Sequence, residues 1–149
     1  MKGFGKKSES GKQKKINNEK RGLLYFNKAV KSHAEGDIQQ AKLLYLKSIA
    51  NGFENESLYT NLGVICKNEG KFKESGRCHR HVLRINPLSY DAYTNLSSLA
   101  IEKNEFTSAL DLANKAIKLN PNCDVSHLNA GRALLELGDL EQEIGRAHV

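Results

Sequence analysis

Apolar and polar positions along this chain repeat with a period of 34 residues. Tyr59-Thr60-Asn61-Leu62 returns as Tyr93-Thr94-Asn95-Leu96, Asn86-Pro87 as Asn120-Pro121, and Phe72 as Phe106. A fixed period of this length marks stacked supersecondary units, none of which buries its apolar face alone. The register gives units at 22–55, 56–89 and 90–123, and a partial one at 124–142. Each reads as two helices. First helices are expected over 22–35, 56–69, 90–103 and 124–137, and second helices over 38–51, 72–85 and 106–119.

The breaks between paired helices share the period: Gly36, Gly70, Asn104 and Gly138. A tight helix–helix turn takes a left-handed residue after the first helix, where Gly costs least and Asn is the usual substitute. Pro87 and Pro121, the only prolines, fall just past second helices and stop them. Ala41, Ser75 and Ala109 put a small residue where the two helices of a unit cross. Tyr25, Tyr59 and Tyr93 open the first helices, with His127 in the fourth, while Ile38, Phe72, Phe106 and Leu140 open the second.

With these residues in that order, the chain resembles the tetratricopeptide-repeat family over residues 22–142. Lys28, Ser97 and His79 depart from the family's usual Leu, Gly and aromatic residue. The resemblance implies an all-α fold, a right-handed superhelical solenoid of stacked helix-turn-helix repeats whose first helices line a concave groove for a partner segment. The start, Met1-Lys2-Gly3-Phe4-Gly5 with the Lys-rich stretch behind it, is similar to tetratricopeptide proteins of bacterial, marine cyanobacterial type.

Charge changes the picture only at the start. The net charge of +6 is carried by residues 1–21, with eight Lys/Arg against two Asp/Glu, and residues 22–149 balance at fifteen of each. These first residues, rich in Lys, Ser, Gly and Asn, read as a disordered basic leader. A basic arm can hold phosphates, but Phe4 is its one aromatic and it offers little for bases to stack on, so nucleic acid is disfavoured. Gly5 to Gly11-Lys12 has the wrong spacing for a phosphate loop, and Gln13 stands where Ser or Thr must be. No apolar run reaches the ~18 residues a membrane helix needs, and the start, Met1 to Lys7, has no apolar core behind its charges, so it does not read as a secretory signal. Cys66, Cys78 and Cys123 form an odd, unpaired set, as a reducing compartment allows. The expected location is cytoplasmic.

Candidate chemistry centres on Asn27, Asn61, Asn95 and Asn129, one per first helix at the 34-residue period. A carboxamide both donates and accepts, so such a ladder can pair with a peptide backbone whatever its side chains. It is similar to the asparagine ladder of O-linked N-acetylglucosamine transferase. The competing reading is packing against the neighbouring helix. By the same register Thr60, Val64, Lys67, Thr94, Ser98 and Arg132 face the groove, as do Phe26, Val30, Ile101 and Leu128. A chaperone-tail carboxylate clamp would fall on Phe26, Val30, Asn61, Asp91 and Asn95, where only Asn61 fits and Asp91 repels. Cys78 and His81, three apart, lack the second ligand pair a closed zinc site wants. No nucleophile elbow, ordered triad or paired carboxylate set stands out, and no cofactor is called for.

The period fails at Glu143, a carboxylate where a small buried residue is due. Ile144-Gly145-Arg146-Ala147-His148-Val149 looks like a translated sequencing adapter, so native sequence is expected to end near Gln142, with 143–149 a non-native tail. The fragment reads as a protein–protein interaction scaffold that binds an extended partner segment. The alternative is a substrate-recruiting arm of a longer glycosyltransferase, sulfotransferase or methyltransferase. Oligomeric state stays open.

Overall fold

The computed structural model describes the backbone of residues 5–147 and the side chains of residues 11–138. The expectations for Phe4, for the side chains of Leu140 and Glu143, and for the side chains of the last residues lie outside the described residues. Among the described residues there are seven helices and no strand: α1 Gly5–Ala34, α2 Ile38–Ala50, α3 Glu56–Asn68, α4 Phe72–Ile85, α5 Tyr90–Glu102, α6 Phe106–Leu119 and α7 Asp124–Ala147. The fold is an all-α helical repeat. The chain divides into two compact units, Met1–Ile65 and Cys66–Val149.

Local chemistry sets the helix ends. Gly36, Gly70 and Asn104 take the left-handed conformation, with φ of 83°, 74° and 59°. In each case the next amide reaches back to close the turn: Asp37 to the Ser32 carbonyl at 2.9 Å, Lys71 to Cys66 at 2.8 Å and Glu105 to Ala100 at 2.9 Å. This is the bond that satisfies the orphan carbonyls at a helix C-terminus. Asp37 caps α2 by accepting from the Gln40 amide, and Asn55 caps α3 by accepting from the Leu58 amide at 2.7 Å. Ahead of the prolines, Asn86 and Asn120 are extended, as a following proline demands. Their side chains accept from the Leu88 and Asn122 amides, the same turn twice.

In the first unit α1 packs on α2. Ala29 and Ala41 are fully buried, and so is Tyr45. Ser48 Oγ donates to the Gly22 carbonyl at 2.8 Å. Gly22 is required there, because a Cβ on it would stand 2.5 Å from that of Phe53. Phe53, which replaces the proline of the other units, stacks on Phe26 at 5.4 Å between ring centroids. In the second unit Ala109, Ala113 and Ala116 on α6 are fully buried. Small side chains let α5 and α7 approach it closely, around a core of Ala100, Ile101, Ala109 and Ala133. Ser97, where the repeat pattern has Gly, offsets its hydroxyl by donating to the Ala109 carbonyl at 2.8 Å.

Two helices differ from the sequence expectation. The leader does not end where the first repeat begins: α1 runs unbroken from Gly5 through Gly22 to Ala34. Residues 11–21 contain no proline and carry four Lys, an Arg, a Gln and a Glu, all good helix formers. Once the first repeat has nucleated the helix, extending it costs no new nucleus. Exposed i,i+4 pairs, Lys15–Glu19 and Gln13–Asn17, add a little. At the other end, α7 passes straight through Gly138, where a turn was expected. A glycine inside a helix costs only about 1 kcal/mol, and Glu136 and Leu137 before it favour helix. Gly138 therefore does not break α7 by itself.

Candidate functional site

The four asparagines share a register but not an environment. Asn27 is exposed on α1. Asn61 is half-buried and its Nδ2 donates to the Tyr45 hydroxyl at 2.9 Å, tying α3 to α2. That phenol is buried, which raises its pKa, while the bond from Asn61 lowers it in part. Asn95 on α5 is half-buried and donates only to the Asp91 carbonyl one turn back, at 2.9 Å. Asn129 on α7 is 8% exposed and donates to the Thr94 carbonyl at 3.3 Å. Two members of the ladder thus spend their carboxamides on neighbouring helices.

The other groove candidates divide the same way. Thr60 and Val64 are half-buried on α3. Thr94 is buried, donating to the Tyr90 carbonyl and bonded to Ser126 Oγ at 2.7 Å. Ser126 in turn draws the Cys123 thiol below its ordinary pKa by hydrogen bonding. Ser98 accepts from Lys67 Nζ at 2.5 Å, and Arg132 on α7 reaches Glu102 on α5 at 3.8 Å. Asn95, Ser98 and Glu102 lie three and four apart, on one face of α5. Lys67 at the end of α3 and Arg132 on α7 reach this face from either side. Leu128, on the turn of α7 before Arg132, is 71% exposed. The second unit therefore presents a mixed face, with neutral amide and hydroxyl, a Lys, one ion pair and an aliphatic patch.

Around α4 the structure adds what the period could not show. His79 is fully buried with neither ring nitrogen partnered, beside Ser75, whose buried hydroxyl is also unpartnered. Burial, helped by the Lys67 charge, holds its pKa down to about 4. Burial first, and then the neighbouring Cys66, push the Cys78 thiol up to about 11. The raised Cys78 pKa disfavours the thiolate that a metal would take, and among the described residues no group of three or more His, Cys, Asp or Glu is placed to hold a metal. His127, in the register of Tyr25, Tyr59 and Tyr93, is exposed, with Nε2 2.8 Å from the Pro121 carbonyl. The opposite side of α4 carries Arg77, Arg80, His81 and Arg84 around one surface recess. The sequence signal for this row was their helical spacing, masked by the zero net charge of the repeats.

These features define a helical-repeat protein whose second unit carries a mixed polar face on α5 and α7. Residues 56–87 and 90–123 match the model of the tetratricopeptide repeat family. Among solved structures, the Arabidopsis OM64 TPR domain superposes with a TM-score of 0.70 at 15% identity, over 78% of this chain and 96% of that one. The Sgt2 TPR domain from Aspergillus fumigatus gives 0.70 at 12% identity, over 81% and 82%. The first TPR of Spaghetti (RPAP3), bound to the HSP90 peptide SRMEEVD, gives 0.72 at 18% identity, over 80% and 94%. At these identities the likeness is one of fold. No curated protein matches the sequence. Among the described residues no helix is long and apolar enough to cross a membrane.

Proposed function

We propose that the chain is a protein–protein interaction scaffold, and that the α5–α7 face of the second unit binds an extended segment of a partner protein. The observation that carries this reading is Asn95. Its Nδ2 is held only by its own helix, which fixes the orientation of a half-exposed carboxamide. From there it pairs with a main-chain amide of the segment, with the Ser98 hydroxyl beside it. Lys67 and Arg132 flank the same face, and Leu128 receives an aliphatic side chain. Asp91 on α5 would repel a carboxylate, so the segment is read along its length rather than by a C-terminal carboxylate. The solved RPAP3 complex supports peptide capture on this fold.

The test is an array of overlapping extended peptides probed with the whole chain, followed by titration of the captured sequences. Asn95→Ala with Ser98→Ala is expected to weaken capture about tenfold, as losing one or two such bonds should, with melting unchanged. Asn61→Ala is the contrasting variant. It strips the buried Tyr45 hydroxyl of its shortest bond and should cost about 1–2 kcal/mol of stability. Undiminished capture by the double variant would remove this face as the binding site.

A further inference from the structure

α4 turns Ser75, His79 and Val82 inward and leaves Arg77, Arg80, His81 and Arg84 on its outer side, at i, i+3, i+4 and i+7. The four side chains line one recess of about 330 Å³. Arg80 lies against bare helix backbone: Gly76 leaves the space, and a Cβ there would stand 3.3 Å from Arg80 Nη1. Arg84 donates to Nδ1 of His81, which holds the Arg84 guanidinium at the recess. Among the described residues no carboxylate pairs with Arg77, Arg80 or Arg84. Like charges at these spacings cost a few tenths of a kcal/mol per pair, and a bound anion would relieve the cost.

We propose that this recess docks a phosphorylated serine or threonine in a segment of a partner protein, at a site separate from the α5–α7 face. Three guanidinium forks around one cavity suit a compact dianion with three acceptor oxygens. A carboxylate has one charge and two oxygens and occupies one fork. A nucleic acid fits less well. The cationic row ends after two helical turns, about 10 Å. No Phe, Tyr or Trp side chain lines the recess for stacking, and the repeats carry no net positive field beyond it.

The experiment is fluorescence anisotropy of the whole chain with a labelled glycine–alanine heptapeptide bearing one central phosphoserine. The same peptide with serine or glutamate at that position gives the comparison. The phosphopeptide should bind at least about tenfold more tightly than either. The triple variant R77A/R80A/R84A should lose that preference while keeping its helicity and melting. R77K/R80K/R84K, which retains charge without forks, should lose most of it. Three results would each overturn the proposal: equal binding of the glutamate peptide, an unaffected alanine variant, or tighter binding of a short single-stranded RNA. Inorganic phosphate displacing the peptide at equal concentration would show that a free anion, not a docked segment, is the ligand.

Discussion

His79 is where a single residue sets a property of the fold. It takes an aromatic position of the repeat, fully buried, with both nitrogens unpartnered and its pKa held near 4. In the unfolded chain the imidazole titrates near its usual 6.5. Between those values the unfolded state binds a proton that the folded state refuses, so stability falls as the pH drops. The contribution is fully present above about pH 6.5 and lost by about pH 4, a change on the order of 3 kcal/mol. Urea melts across that range should show the decline. His79→Leu should flatten this part of the profile, and at pH 7 it should be neutral or stabilising, since it removes two unsatisfied buried nitrogens. A pH profile unchanged by that substitution would show that other groups govern acid sensitivity.

At the scale of helices, glycines in one register behave differently, and substitution separates them. Gly70, at φ 74°, ends α3, and an alanine there is strained, at about 1 kcal/mol or more of destabilisation. Gly138 lies inside α7, so Gly138→Ala should stabilise by about 0.5–1 kcal/mol. Thermal melts of the two variants should move in opposite directions, and a fall for Gly138→Ala would restore the turn that the period implied. The same pair shows what was legible in the sequence. Helices α2 to α6 match the expected ranges to within a residue, because turn glycines, prolines and small crossing residues recur in register. α1 and α7 ran past their expected ends because no local residue forbids helix there. The site was legible as a face but not as a set of partners. Asn61 and Asn95 hold the same register, yet the first meets Tyr45 and the second meets only its own helix. A period specifies direction, and the neighbour across the gap decides what the side chain is free to do.

For the whole chain, the decisive quantity is where the charge sits. The excess of +6 lies in residues 1–21, while the repeats balance. Binding to polyanions and binding at the α4 recess should therefore separate on truncation. Removing residues 1–21 leaves a neutral protein, which should lose retention on a cation exchanger at pH 7, since nonspecific affinity follows net charge. Far-UV helicity should fall by the share of the helical leader residues, because α1 is continuous from Gly5. Melting should change little: residues 11–21 are exposed apart from the single half-buried Asn18, and Gly22 begins the buried contacts. Phosphopeptide affinity should survive as well, because Arg77, Arg80 and Arg84 form a local field that a Debye length of about 8 Å confines to their own helix. If truncation abolished that affinity, the leader would be the anion-binding element, and the arginine row on α4 no more than a solvated helix face.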